Sequence, residues 1–156
     1  MGDKAPGTGT PARLRVAIAG LGAVGEKVAE GLDRGIDGLE LAAIAVRDRA
    51  KAAAKLARLR RPVPLVGLGE LEALADVVVE CAPASLLPEV AAPFLRAGKM
   101  AVVLSCAALL QNEDLIELAR RNGGRIVVPS GALLGLDAVT AAAEGTIQSV
   151  RMITRK

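Results

Sequence analysis

Short apolar runs alternate along this chain with longer stretches in which apolar residues recur at helical spacing. Few polar residues interrupt the runs, which is typical of strands covered by helices on both faces. We predict strands at Leu14–Ala19, Leu39–Val46, Pro64–Val66, Val77–Cys81, Met100–Ser105 and Arg125–Val128. The intervening stretches predict helices at Ala23–Asp33, Ala50–Arg60, Ser85–Ala97 and Glu113–Arg121, with a short turn at Leu68–Leu74. This alternation predicts an α/β fold with a doubly wound parallel sheet and right-handed crossovers.

A glycine-rich segment follows the first predicted strand. Gly20, Gly22 and Gly25 form the pattern G-x-G-x-x-G. In a dinucleotide-binding loop the first glycine permits a tight turn, the second lets a pyrophosphate approach, and the third lets the helix pack on the strand. The alternative is a glycine turn that binds nothing, but its place between a strand and a helix favours a dinucleotide. The variable positions, which belong to the predicted site, are Leu21, Ala23 and Val24.

The composition removes several kinds of chemistry. The 156 residues include no histidine, which excludes from this chain His-assisted nucleophiles, His acid–base catalysis and His metal sites. Cys81 and Cys106 lack the paired spacing of a zinc ribbon or disulfide framework, so we expect reduced thiols in a cytoplasmic protein and no metal.

Nucleic acid and membranes are not expected partners. The net charge is only +3, and Phe94 is the sole aromatic residue available for stacking on bases. The longest uncharged apolar stretch, Met100–Leu110, is about half as long as the roughly 20 residues of a membrane span.

Charged residues follow the second predicted strand. Arg47 stands where an NAD enzyme often has an acidic residue that binds the ribose, and its guanidinium could instead hold the 2′-phosphate of NADP. Asp48 could still reach the ribose hydroxyls. The alternative is that these two residues and Arg49 are solvated turn charges. The sequence therefore permits NAD or NADP as cofactor.

The ends of the fourth and fifth predicted strands border the same crevice. Cys81, Ala82 and Ser105 are small there, which leaves space for a nicotinamide ring, and we place them in the cofactor site. Cys81 as a nucleophile is the less favoured alternative, because no base is present to activate it. We expect Glu80 to be a turn charge rather than a buried carboxylate.

The last third of the chain resembles L-aspartate dehydrogenase. The resemblance lies in Pro129–Ala132, in Gly135–Ala138 and in a predicted strand at Thr146–Thr154, and the glycine loop and the segment Val79–Ala82 fit the same family. It implies a Rossmann NAD(P)-binding domain followed by a smaller α+β substrate domain. It also implies oxidation of L-aspartate to iminoaspartate, which gives oxaloacetate and ammonia or feeds NAD biosynthesis. Ala132 would contact the nicotinamide end of the cofactor.

The resemblance also implies a domain division. Residues 1–12 are expected to be a flexible tail, 13–145 the dinucleotide-binding domain, and 146–156 the first strand of a truncated substrate domain. The family's catalytic histidine would lie beyond residue 156, so no catalytic residue is assigned here, and the full-length form is expected to be a homo-oligomer. The alternatives are a non-catalytic dinucleotide-binding module, or a reductase similar to homoserine dehydrogenase or dihydrodipicolinate reductase.

Overall fold

The computed structural model describes residues 12–129, 136–151 and 153, in which six strands form one parallel sheet. The strands are β1 Leu14–Ala19, β2 Leu39–Ala45, β3 Leu65–Val66, β4 Val77–Glu80, β5 Met100–Val103 and β6 Arg125–Val127. The helices are α1 Ala23–Arg34, α2 Arg49–Leu56, α3 Leu71–Leu74, α4 Leu87–Arg96, α5 Cys106–Leu110, α6 Asp114–Asn122 and α7 Leu136–Ala142. Short 3₁₀ turns at Leu68–Glu70 and Ala84–Leu86 lead into α3 and α4.

The strand order is β3-β2-β1-β4-β5-β6. The chain winds outward from β1 to β3, then returns to the other side of β1 and winds outward again to β6. Ala19 at the end of β1 pairs with Ala45 of β2 and with Glu80 of β4, so these three strands end at one level. The winding direction reverses between β1 and β4, and the carboxyl ends of strands at such a point border a ligand crevice.

Apolar side chains fill the space on both faces of the sheet. On one face, the buried Ile18 and Ile44 of the sheet pack with Leu32 of α1. On the other face, Leu71 of α3 and Phe94 of α4 belong to a larger cluster that also includes side chains of α5 and α6. The doubly wound α/β sandwich predicted from the unbroken apolar runs is therefore confirmed.

The structure departs from the predicted elements in the second helix. α2 ends at Leu56 rather than at Arg60. The carboxylate of Asp33 accepts hydrogen bonds from the backbone amides of Arg60 and Arg61, at 2.8 and 3.2 Å. Because these amides hydrogen-bond to a side chain of α1 instead of to carbonyls of α2, the segment leaves the helical path.

Two short helices, α5 and α7, were not predicted. They have five and seven residues, which is too short for a clear periodic signal.

The predicted strand at Thr146–Thr154 is the clearest error in the element assignment. Residues 146–151 and 153, the part of this segment that the structure describes, form no strand. A strand exists only when its backbone pairs with a neighbour, and no described residue pairs with this segment. The alternating pattern alone could not supply that partner.

Candidate functional site

A cleft of about 570 Å³ opens at the carboxyl ends of β1, β2 and β4. It lies where the strand order reverses, so the fold places it at the crevice expected for a ligand of an open α/β sheet. Its walls come from the turns that follow the three strands, together with the starts of α2 and α4. The lining residues are Gly20, Leu21, Gly22, Ala45, Val46, Arg47, Asp48, Lys51, Leu68, Cys81, Ala82, Pro83, Leu86 and Glu89.

Two of the three loop glycines are required by close backbone contacts. Gly20 has φ +97°, and a Cβ there would lie 2.5 Å from the carbonyl oxygen of Cys81. A Cβ on Gly25 would collide with the carbonyl oxygen of Gly20 and lie 3.2 Å from the Cβ of Cys81. Gly20 therefore permits the turn against β4, and Gly25 lets α1 pack against that turn. Both roles agree with those predicted from the sequence.

Gly22 differs from the other two because it faces open space. Leaving out its two chain neighbours, no described residue has an atom within 4 Å of where its Cβ would be, although the residue has ordinary backbone angles as the N-cap of α1. The first amides of a helix have no carbonyl partner within the helix, and here they belong to Ala23, Val24 and Gly25. The bare backbone of Gly22 beside the positive end of α1 fits the pyrophosphate of a dinucleotide.

The turn after β2 brings positive charge to the cleft. The exposed guanidinium of Arg47 forms no hydrogen bond or ion pair with any described residue. Asp48 is the N-cap of α2, and its carboxylate accepts a hydrogen bond from the backbone amide of Lys51 at 3.1 Å. The ammonium of Lys51 lies 3.7 Å from the same carboxylate. Lys51 was not among the predicted site residues, although a lysine three residues after a cap lies at the same end of the helix.

Cys81 lines the cleft, and its thiol is partly buried. Burial, with a smaller effect of the neighbouring Glu80 carboxylate, raises the pKa of the Cys81 thiol to about 11. Because the thiolate is the nucleophile, this shift disfavours nucleophilic chemistry at Cys81 and agrees with its assignment as part of the wall.

Glu80 is not the turn charge expected from the sequence. Its side chain is fully buried, and its carboxylate accepts hydrogen bonds from the backbone amides of Leu104 and Ser105, at 3.2 and 2.9 Å. The hydroxyl of Ser105 donates to the same carboxylate at 3.1 Å. A buried carboxylate is tolerated here because three donors surround it. Periodicity could not show this, since the donors follow a different strand.

The structure therefore unites most, though not all, of the predicted site. Seven predicted residues line the cleft, namely Gly20, Leu21, Gly22, Arg47, Asp48, Cys81 and Ala82. Ala23, Val24 and Gly25 form the first turn of α1 beside it. Ser105 is directed to Glu80 and does not line the cleft, and Ala132 lies outside the described residues. The other seven lining residues were not predicted as site residues: Ala45, Val46, Lys51, Leu68, Pro83, Leu86 and Glu89.

A wider depression of about 680 Å³ lies between α4 and α6. Helical side chains alone line it, and neither strand ends nor the glycine loop contribute. We therefore place the functional site at the smaller cleft. Within the described ranges, no three acidic or cysteine side chains are grouped so as to hold a metal ion, and no helix has the length and apolarity needed to cross a membrane.

Comparison with known proteins supports the sequence-based resemblance. The chain is 58% identical over 143 residues to the L-aspartate dehydrogenase of Bradyrhizobium diazoefficiens, which covers 92% of this chain and 51% of that protein. It is 54% identical over 144 residues to L-aspartate dehydrogenase 3 of Bordetella bronchiseptica, covering 92% and 53% respectively. The chain thus spans about half the length of the curated relatives it matches. The resemblance inferred from the sequence motifs is confirmed.

The fold likeness agrees with this result. The crystal structure of aspartate dehydrogenase from Thermotoga maritima superposes with a TM-score of 0.61 at 20% identity, over 85% of this chain and 52% of that one. Residues 20–129 match the family described as homoserine dehydrogenase, NAD binding domain. This match begins at the first loop glycine and includes the turns that line the cleft. The chain therefore belongs to the homoserine dehydrogenase type of NAD-binding domain, with NAD or NADP as its cofactor.

Proposed function

We propose that this chain is the cofactor-binding part of an L-aspartate dehydrogenase. The observation that carries the proposal is the 58% identity with the Bradyrhizobium diazoefficiens enzyme, which extends through every cleft-forming segment. The reaction is oxidation of L-aspartate to iminoaspartate, which hydrolyses to oxaloacetate and ammonia. The cofactor, when bound, supplies the nicotinamide ring that accepts the hydride.

The residues of this chain would bind and orient the cofactor. The open backbone of Gly22 and the first amides of α1 would hold the pyrophosphate. Cys81 and Ala82, at the end of β4, would border the nicotinamide and leave room for a flat ring. Catalysis by this part consists of positioning, which contributes only when the substrate is held against the cofactor. We propose that Ala132 completes the nicotinamide side, and that Ser105 supports this side from behind through its hydrogen bonds to Glu80.

We propose a preference for NADP over NAD. Arg47 and Lys51 place two positive charges at the cleft. The Asp48 carboxylate already caps α2 by accepting a hydrogen bond from the Lys51 amide. A guanidinium and an ammonium suit the 2′-phosphate through charge-assisted hydrogen bonds. NAD lacks this 2′-phosphate and has no other anionic group at that position to pair with both Arg47 and Lys51.

The remaining proposals concern the organisation of the whole protein. We propose that residues 13–145 form the dinucleotide-binding domain, preceded by a tail, and that 146–156 begin the substrate domain. We further propose a homo-oligomeric full-length protein, supported by Val127 and Val128, which are exposed at the sheet edge formed by β6. The two unpaired cysteines support a cytoplasmic location.

The test joins residues 1–156 to the remaining half of the Bradyrhizobium diazoefficiens enzyme. The chimera is expected to form NADH or NADPH when L-aspartate is added, as followed at about 340 nm. Homoserine is the control substrate. Residues 1–156 alone should bind cofactor without oxidising aspartate, because loss of acid–base groups costs on the order of 10²–10⁴-fold and loss of substrate positioning costs more.

Turnover of homoserine but not aspartate would favour a homoserine-dehydrogenase-like reductase. A chimera that binds NADPH yet oxidises neither substrate would favour a non-catalytic binding module. Either result would contradict the proposed aspartate dehydrogenase.

A further inference from the structure

A lysine of the second helix reaches across to the glycine loop. The ammonium of Lys55 donates a hydrogen bond to the backbone carbonyl of Leu21 at 2.8 Å. It also lies 2.9 Å from the carboxylate of Glu26, in the first turn of α1. The Lys55 side chain is only about one third exposed, so the contact lies partly within the protein. Lys55 therefore connects α2, the loop and α1 through one charged group.

The Leu21 carbonyl has a fixed relation to the amide of Gly22. Both belong to the same peptide group, and no cis peptide bond occurs among the described residues. In a trans peptide the carbonyl and the amide point in opposite directions. Leu21 and Lys55 together line a small cavity between the loop and α2, whereas Gly22 lines only the main cleft. With its carbonyl held toward Lys55, this peptide presents the Gly22 amide away from Lys55.

Glu26 holds Lys55 in this position. One oxygen of its carboxylate forms an ion pair with the Lys55 ammonium. The other oxygen lies 3.4 Å from the guanidinium of Arg58. Without Glu26, the long lysine chain would gain rotamers and leave the carbonyl for water. The positive charge of the Lys55 ammonium beside the Leu21 carbonyl also polarises the Leu21–Gly22 peptide group. The Gly22 amide therefore becomes a stronger hydrogen-bond donor.

We propose that Lys55 is a positioning residue for the cofactor pyrophosphate. Its hydrogen bond to Leu21 orients the Leu21–Gly22 peptide so that the Gly22 amide faces the phosphates, and Glu26 keeps Lys55 in place. Lys55 acts through this peptide without touching the phosphates. The inference rests on dinucleotide binding at the cleft and is independent of the substrate.

The first test measures NADH binding to residues 1–156 by titration calorimetry. NADH is used because it lacks the 2′-phosphate, so Arg47 and Lys51 have little influence. Lys55→Met should weaken binding by about tenfold, the effect of one lost charge-assisted hydrogen bond. Lys27→Met is the matched control: it removes the same charge from an exposed lysine that pairs only with Glu30 among the described residues, and it should change affinity less than about twofold.

The second variant separates positioning from simple attraction between charges. Glu26→Gln removes a negative charge near the phosphates, so a purely electrostatic role of Lys55 predicts tighter binding. Positioning predicts weaker binding, since Lys55 loses its anchor. This variant also provides the test if Lys55→Met does not fold, which thermal unfolding would show.

The third measurement is the amide resonance of Gly22 in ¹⁵N-labelled protein. NADH should move this resonance downfield in the wild type, and the movement should be much smaller in Lys55→Met. Equal affinity and equal Gly22 shifts in the two proteins would overturn the proposal, as would tighter binding by Glu26→Gln. Failure of the wild type to bind both NADH and NADPH would overturn the cofactor site and this inference together. Failure of aspartate oxidation alone would overturn only the proposed substrate.

Discussion

The carboxylate of Glu80 accepts hydrogen bonds from both the backbone amide and the hydroxyl of Ser105, at 2.9 and 3.1 Å. Glu80 ends β4, and Ser105 begins the turn after β5. The carboxylate therefore joins the ends of two neighbouring strands at the edge of the crevice, where small shifts would change the shape of the proposed nicotinamide side.

Removal of this carboxylate should destabilise the domain. Glu80→Ala leaves the partly buried amides of Leu104 and Ser105 without their acceptor, and we expect a loss of about 1–3 kcal/mol in the free energy of unfolding. Glu80→Gln keeps one acceptor oxygen and should lose less. Urea denaturation followed by circular dichroism measures both variants. Unchanged stability of Glu80→Ala would show that water replaces the carboxylate without cost.

The loop glycines should separate binding from stability. Gly22→Val places a branched side chain in open space, so the fold should keep its melting temperature while NADH affinity falls by at least about tenfold. Gly25→Ala introduces a Cβ against the Gly20 carbonyl and should destabilise the fold by about 1–3 kcal/mol or more. Calorimetric titration and thermal unfolding distinguish the two effects. Equal NADH affinity in wild type and Gly22→Val would contradict the pyrophosphate site.

Arg47 should determine the cofactor preference. Arg47→Asp puts a carboxylate in place of a guanidinium that has no partner among the described residues, and we expect NADPH affinity to fall by about ten- to a hundredfold while NADH affinity changes much less. Arg49→Asp is the control, because it makes the same change in a residue that does not line the cleft. If both cofactors respond alike to Arg47→Asp, Arg47 is only a surface charge.

The pair between Arg15 and Asp76 predicts a pH dependence of stability. The guanidinium and backbone amide of Arg15 hydrogen-bond the Asp76 carboxylate and lower its pKa to about 2. An unfolded Asp titrates near about 3.9, so this stabilisation is complete above about pH 4 and disappears as the pH falls toward 2. Both side chains are substantially exposed, so we expect Asp76→Asn to cost no more than about 1 kcal/mol at pH 7.

Urea titrations of Asp76→Asn at several pH values measure this dependence. The difference from wild type should shrink between about pH 4 and 2. A difference that stays constant through this range would show that packing, and not ionisation, explains the loss.

The sequence predicted features that depend on local pattern. The six sheet strands and the packing roles of Gly20 and Gly25 could be inferred because burial on two faces and backbone crowding leave signals within a few residues. Glu80 could not be assigned correctly, because its donors come from a segment that only the sheet brings near. The same holds for the loop contact of Lys55, which depends on the packing of α2 beside α1. The error at Thr146–Thr154 has the same origin, since a strand needs a neighbour.

The capping role of Asp48 limits how a cofactor switch could arise here. An acidic residue, Asp48, is already present beside the proposed ribose position, but one of its oxygens accepts a hydrogen bond from the Lys51 amide in the first turn of α2. If that oxygen bound the ribose hydroxyls instead, α2 would lose its N-cap, which typically contributes about 1 kcal/mol to stability. A route to NAD preference through Arg47→Asp adds a second carboxylate and leaves the cap in place. Evolution or engineering toward NAD would therefore meet less resistance by changing position 47 than by redirecting position 48.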